Sequence, residues 1–412
     1  MREAMRVSRS VALVLAALSA ACAAPPTGMP FPGPGPDPLK PVDAGQPRST
    51  VVPQVTREPL FTLPGGGVIW DLAFLPDGAA LFTVRSGELR HWRPGETTST
   101  LVANRASSGA PFAGLFAEGQ SGLMGVAVDP AFATNRQVYL YFSHDAGGTK
   151  DNRVVRYRLT EALALEGRTD LVTGISYKAV ATKDGSPGAH SGGRLRFGPD
   201  GFLYLTTGDN HGATIPQDVE ALGAKVLRFT TDGAPAPGNP SLGSRNLIWA
   251  RGLRNPQGLA FHPLNGAAFI SEHGPGVDDE VTRLAAGANG GWNPVGATGQ
   301  YNGYDGARMT DTAAIPDATR PVWVYADSQG MSACVFLRGR GWLAWEHRLA
   351  VGFLAGRRVN VLDLNETLDQ VVEESPLADV SERVRSLVLG PDEALYMTTD
   401  DGRIVRFSPR AP

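Results

Sequence analysis

Cysteine is nearly absent from this chain, with only Cys22 and Cys334 among 412 residues. That scarcity excludes a disulfide framework and any zinc site built on cysteine pairs. Charge of one sign is missing too: 38 basic residues face 41 acidic ones, a net charge of −3. Such a balance carries no electrostatic footprint for nucleic acid as a partner. The apolar stretch VALVLAALSAACAA, from Val11, is too short to cross a bilayer. Phosphate-cradling and dinucleotide loops are also lacking, since GLRNPQG and GGRLRFG have glycines but no strand-to-helix context.

Glycine and proline are plentiful, at 50 and 32 residues, beside an ordinary hydrophobic fraction of 42%. With clear patterning elsewhere, that excess points to the many turns of an all-β fold. Residues 1–24 read as an export signal, with Arg2, Arg6 and Arg9 ahead of the apolar stretch. Cys22 follows Leu18-Ser19-Ala20-Ala21, close to a lipoprotein box but with leucine one place early. Two readings stay open: a lipid anchor through Cys22, or plain cleavage near Ala21 or Ala24. Either places the protein in the periplasm or cell envelope. Residues 25–56 form a Pro/Gly-rich tract suited to a semi-extended linker. The folded domain is expected over 57–412. With Cys22 lipidated or removed, Cys334 has no intramolecular partner.

A repeated unit runs through that domain: an apolar strand, a proline turn, a second strand, then a polar turn and a third. Clear copies are DLAFLPDGAALFTVRSGELRHW from Asp71, RLRFGPDGFLYLTTGD from Arg194 and SLVLGPDEALYMTTDDGRIVRF from Ser386. Looser ones start at Gly125 and Gly258. The turn prolines Pro76, Pro130, Pro199, Pro263 and Pro391 are separated by 54, 69, 64 and 128 residues. The last gap is twice the one before, so a degenerate copy from Ala333 belongs inside it. Six antiparallel units predict a six-bladed β-propeller with long inter-strand loops. Period-two patterning excludes a helical solenoid; a pair of β-sandwiches is the remaining alternative.

Candidate chemistry concentrates in the loops. In GAHSGGRLRFGPDGFLYLTTGDN a hairpin puts His190 and Asp209 at the same end, a pairing that orients an imidazole as a proton acceptor. Gln120 precedes another glycine-flanked strand, and Arg254 and Asn255 stand directly before Pro256. In SEHGPGVDDEV, Gly274-Pro275-Gly276 forces an irregular backbone, and Asp278, Asp279 and Glu280 supply three carboxylates in a row. The stretch is either a calcium loop or a solvated acidic turn; the neutral His273 within it is no natural calcium ligand. Arg383 and Arg385 project to one face and need an anion between them. That anion is either a ligand or a neighbour among Glu373, Glu374 and Asp379.

Together, HSGGRLRFGPDGFLYLTTGD, LRNPQGLAF, SEHGPGVDDEV and NGGWNPV, in this order over about residues 60–410, resemble the soluble glucose/sorbosone dehydrogenases, and more closely their aldose sugar dehydrogenase branch. The resemblance implies an exported six-bladed propeller that uses pyrroloquinoline quinone (PQQ) and Ca²⁺. Its implied activity is oxidation of an aldose to the lactone, with electrons leaving to a soluble or membrane acceptor. By the same resemblance His190 is the general base and Asp209 its support, and Gln120 belongs to the sugar and quinone pocket. Arg254 and Asn255 hold the cofactor, and Arg383 and Arg385 grip its carboxylates. Gly274 and Pro275 offer backbone carbonyls to the calcium; Glu280 is a ligand of a second, structural calcium, to which Gly290 and Gly296 offer carbonyls.

The chain departs from the family pattern in two places. Ala355 and Gly356 stand where a lysine is often found, with Arg357 or Arg358 as substitutes, and Gln300 replaces an aspartate after the second calcium loop. Two other readings fit the same fold: a calcium-dependent propeller lactonase or esterase, and a non-catalytic cell-surface propeller that has lost its cofactor. A lactonase has no tricarboxylate to hold, so the arginine pair speaks against it. The sugar itself would be chosen by loops such as HGATIPQDVEAL, from His211, and TGQYNGYDGARMTDT, from Thr298.

Overall fold

The computed structural model describes residues 49–106, 111–182, 185–295 and 307–410. The signal segment with Cys22, nearly all of the linker, Gly296 and Gln300 lie outside them. Among the described residues the first strand is β1 (Gln54–Thr62), so residues 54–56, assigned to the linker by sequence, belong to a strand. Five four-stranded antiparallel sheets then follow in chain order. The first holds β2 (Ile69–Phe74), β3 (Ala80–Val84), β4 (Glu88–Trp92) and β5 (Thr100–Asn104). The second holds β6 (Leu123–Val128), β7 (Gln137–Asp145), β8 (Lys150–Leu159) and β9 (Leu165–Ile175). The third holds β10 (Leu195–Phe197), β11 (Leu203–Thr206), β12 (Val226–Phe229) and β13 (Ile248–Ala250). The fourth holds β14 (Pro256–Phe261), β15 (Ala268–Glu272), β16 (Val277–Leu284) and β17 (Trp323–Asp327). The fifth holds β18 (Met331–Phe336), β19 (Leu349–Phe353), β20 (Arg358–Leu364) and β21 (Val371–Asp379).

The sixth sheet is made from both ends of the chain. Its strands β22 (Val384–Leu389), β23 (Leu395–Thr399) and β24 (Arg403–Arg410) accept β1 as the outermost member. Gln54 pairs with Arg410 and Thr62 with Arg403. Pro59 is tolerated in β1 because an edge strand has backbone positions with no ladder bond to make, and the register shifts just after it. First strands of successive blades touch all the way round, and β22 returns to β2, so the six blades form a closed ring.

Burial explains the sequence pattern. The central strands are sandwiched between neighbouring blades and read as nearly continuous apolar runs, as in β3 (ALFTV, buried throughout). The outermost strands, such as β9, leave much of their length to solvent. Each blade-to-blade seam holds an apolar cluster; one joins Trp70 to Met124, Tyr141, Leu195, Leu205 and Leu227. The predicted proline turns connect the first two strands of five blades. In the fifth blade a 3₁₀ stretch over Arg340–Trp345 replaces the turn, which is why that copy reads as degenerate.

Polar groups cross the central channel instead of lining it. Arg194, 2% exposed, leaves the third blade and donates to Asp71 Oδ1 of the first (2.6 Å). It also donates to Ser386 Oγ (2.9 Å) and the Arg385 carbonyl (3.1 Å) of the sixth, and to the Gln257 carbonyl (2.8 Å) of the fourth. Its guanidinium lies over Trp70. Arg196 adds two bonds to Asp71. Burial pulls the Arg194 pKa down to about 10, still charged at neutrality, and the two arginines outweigh desolvation to hold the Asp71 carboxyl below its ordinary value.

Candidate active site

Strand alternation decides where the functional residues go. The start of a blade's first strand and the turn between its second and third strands share one face of the ring, and the proline turns occupy the other. Gln120, His190, Asp209, Arg254, Asn255, Gly274, Pro275, Arg383 and Arg385 all sit at positions of the first kind.

His190 and Asp209 meet as expected: Nδ1 lies 2.8 Å from Asp209 Oδ1, with both side chains buried. His190 adopts a left-handed backbone (φ 51°), and Gly208 passes so close that a Cβ there would sit 2.0 Å from the His190 carbonyl oxygen. Only glycine fits that crossing. Asp209 has further donors: the backbone N–H of His211 to Oδ1 (2.9 Å) and the Trp292 indole N–H to Oδ2 (2.7 Å). Burial, then the Arg254 guanidinium, pull the His190 imidazole below its ordinary pKa, against the opposing pull of Asp209. The Gln120 side-chain oxygen accepts the His190 backbone N–H (3.2 Å).

Arg254 donates to the His273 carbonyl (2.7 Å) and lies over the Trp292 ring. Asn255 accepts the Gly192 N–H (3.1 Å) and reaches His273 Nε2 (3.2 Å), so its amide joins the His190 loop to the β15–β16 turn. Buried Glu272 takes the backbone N–H groups of both Arg254 (2.9 Å) and Asn255 (3.3 Å) on one oxygen. Burial raises its pKa to about 7. The His273 ring stands edge-on to His190 at 6.0 Å, and Arg385 acts on it electrostatically. Blades three, four and six therefore converge on one mouth.

Arg383 and Arg385 do share an anion, and it is Asp400, not Glu373 or Glu374; the Asp379 side chain lies outside those described. Arg383 Nε meets Asp400 Oδ2 (2.9 Å), and Arg385 grips both oxygens (2.7 and 2.9 Å) while reaching Gln257 (2.8 Å). Glu373 instead faces Arg348, and Glu374 accepts from Tyr325. Asp400 is brought in by the turn after β23, opposite the bulge at the start of β22. Arg85, at the end of β3, feels the fields of both Arg385 and Asp400.

The acidic stretch divides, because β16 sends neighbouring residues to opposite faces: Asp278 and Glu280 line one hollow with Arg308 and Thr310, while Asp279 turns away. Asp279 ties its own loop together, accepting from Gly274 N (2.9 Å), Ser328 Oγ (2.7 Å), Gln329 N (2.7 Å) and Met331 N (3.1 Å). Asp278 pairs with Arg308 (3.5 Å), and Glu280 accepts from the Thr310 hydroxyl (3.0 Å). Among the described residues no group of three or more His, Cys, Asp or Glu side chains is arranged to hold a metal. In the fifth blade, Arg358 lies over Phe353 with its guanidinium near Gln329, and the Arg357 carbonyl accepts from Val380 N.

Several mouth residues escape a sequence reading. Trp292 and His211 carry no spacing signal that ties them to Asp209. Glu272 and Asp400 look like ordinary strand-end acids. For Asp400 the available hint is a pair of arginines on one face, since the adjacent Glu382 is taken up by Arg57 and Arg403.

Comparison with known proteins agrees with this geometry. The family model for glucose/sorbosone dehydrogenases matches residues 67–406. Aldose sugar dehydrogenase YliI of Escherichia coli K12 is 35% identical over 351 residues, spanning 83% of this chain and 90% of the relative. Among solved structures, the soluble aldose sugar dehydrogenase of E. coli in its apo form superposes with a TM-score of 0.71 at 31% identity, covering 87% of this chain and all of that one. The PQQ-bound aldose sugar dehydrogenase of Streptomyces coelicolor gives 0.69 at 25% identity, with the same coverage. An oxidoreductase ring of this kind, matched along nearly its whole length, belongs to the glucose/sorbosone dehydrogenase family.

Proposed function

We propose that the protein oxidises an aldose at C1 to the corresponding lactone, using PQQ and Ca²⁺ and passing electrons to a soluble or membrane acceptor. The observation that carries this reading is the buried His190–Asp209 pair, set at a mouth ringed by Arg85, Arg254, Arg383 and Arg385. The donor set suits the cofactor: Arg85, Arg254, Arg383 and Arg385 lie on the same face of the ring as His190, and guanidiniums suit a tricarboxylate. Gly274 and Pro275, adjoining His273, are the residues whose carbonyls would hold the calcium.

When bound, PQQ supplies a quinone that accepts the hydride, and Ca²⁺ polarises its carbonyl. The protein's own work is proton transfer and placement. Asp209 accepts a hydrogen bond from the Nδ1–H of His190, which leaves the Nε2 lone pair as the acceptor for the anomeric hydroxyl proton. The hydride leaves C1 as that proton leaves oxygen, and the carbon becomes the lactone carbonyl. Burial keeps the imidazole neutral beforehand, and Trp292 and the His211 N–H hold Asp209 still. Arg383 and Arg385 would grip the carboxylates, kept parallel by Asp400, while Glu272 fixes the backbone that presents Arg254. Residues 1–24 would direct export, with Cys22 as the lipid attachment point.

The test is reconstitution of the purified protein with PQQ and Ca²⁺, following dye reduction across a panel of aldoses. Activity should require both additions and be lost to EDTA. His190→Ala should lower turnover by about 10²–10⁴-fold while PQQ still binds, as read by its absorbance. Release of acid from lactones without PQQ would replace this reading with a hydrolase.

A further inference from the structure

The hydrogen bond from His190 Nδ1 to Asp209 fixes one edge of the imidazole but leaves the ring plane undetermined, since the ring can swing about that bond. The Nε2 lone pair would swing with it. Asp209 itself is held in place by the Trp292 indole on Oδ2 and the His211 N–H on Oδ1.

What lies against the face of the ring is a second imidazole. The His211 ring stacks on His190 with centroids 3.8 Å apart and planes 28° from parallel. A run of left-handed backbone puts it there: Asn210 and His211 have φ of 51° and 53°, and Gly212 N closes the turn on the Asp209 carbonyl (2.7 Å). Asn210 ties the two loops together by donating to the carbonyls of His190 (2.8 Å) and Ala189 (3.1 Å). Behind His211 stands the Gly185 backbone, where a Cβ would lie 2.8 Å from the ring's Cδ2 and Nε2. His211 is thus clamped between the Gly185 backbone and His190.

We propose that His211 is a positioning residue for His190, its stacked ring setting the plane in which the proton-accepting nitrogen meets the sugar. The role rests on the dehydrogenase reading above. The charged and titratable groups acting on the pair are Asp209, Arg254, Lys178 and His273. Burial first, then His190 itself, pull the His211 pKa down to about 3, so the supporting ring stays neutral while its neighbour takes up a proton.

Two variants separate stacking from polarity. His211→Ala removes the ring; His211→Phe keeps a flat face without the nitrogens. A misplaced catalytic group costs up to about 100-fold, so His211→Ala should lower kcat by roughly 10- to 100-fold, and His211→Phe by about threefold or less. PQQ affinity, read by absorbance without sugar, should stay within about twofold for both.

An arm that needs no cofactor uses nitrogen-edited NMR of the apo-protein. The wild type and His211→Phe should show one Nδ1–H tautomer for His190, and His211→Ala a broadened or mixed signal with a shifted titration midpoint. Should His211→Ala fail to fold by thermal melt, Gly185→Ala, which presses on the ring from behind, takes its place and should perturb the same signal. Unchanged kcat and an unchanged His190 signal in His211→Ala would overturn the proposal, as would His211→Phe proving as damaging as His211→Ala. If the wild type oxidises no sugar, the dehydrogenase reading fails while the NMR arm still decides whether His211 sets the ring.

Discussion

At the scale of single residues, the pair at the mouth makes a claim about pH. Burial and Arg254 hold His190 below the ordinary imidazole value of 6.5, so its proton-accepting form persists further into acid than a free histidine's would. The expected kcat/KM profile is level above neutrality and declines in acid with a midpoint below 6.5. Asp209 favours the charged imidazole, so Asp209→Asn should move that decline to lower pH. The same change should depress the whole profile by about 10²–10⁴-fold through loss of the correct tautomer. A wild-type midpoint above 6.5 would contradict the assignment. His190 and Asp209 were legible in the sequence because a short hairpin brings its ends together whatever the rest of the fold does. Trp292, 83 residues from Asp209, was not, since a contact across blades leaves no local pattern, and His211 was not, since only the left-handed turn at Asn210 and His211 folds its ring back onto His190.

At the scale of elements, the repeated turns provide an internal comparison. The Pro-Asp-Gly turns of the first and third blades place Gly78 and Gly201 at φ of 81° and 80°. The sixth blade keeps the same hydrogen bonds, with Asp392 capping Ala394 N, but puts Glu393 there at φ 60°. A side chain in that region costs roughly 1–2 kcal/mol, and glycine's extra freedom in the unfolded chain returns about 0.5–1 kcal/mol. Glu393→Gly is therefore expected to stabilise the protein by up to about 1 kcal/mol, seen as a higher denaturant midpoint at unchanged m-value. Turn chemistry is also why the blades could be counted from sequence: five prolines fall in equivalent turns. The acidic stretch was harder to read because three carboxylates adjacent in sequence do not reveal which face each takes. The pairing of β16 to β15 and β17 sends Asp279 to the face opposite Asp278 and Glu280.

At the scale of the whole molecule, Arg194 is the piece that no repeat could announce. It belongs to the clearest copy of the unit, yet its partners come from three other blades, so its role exists only once the ring is closed. Arg194→Met should cost about 3–5 kcal/mol, as removing one partner of a buried ion pair does, with Arg196 keeping the loss toward the lower end. A thermal melt of the apo-protein would measure it, and a change below about 1 kcal/mol would mean the channel pair is not structural. The seam between the two chain termini has a further consequence, which concerns timing. The last blade lacks its rim strand until an N-terminal segment made hundreds of residues earlier returns to it. Until then the chain carries an open sheet edge, the kind of surface that recruits other chains. The same late closure makes the waiting edge the place where aggregation would begin.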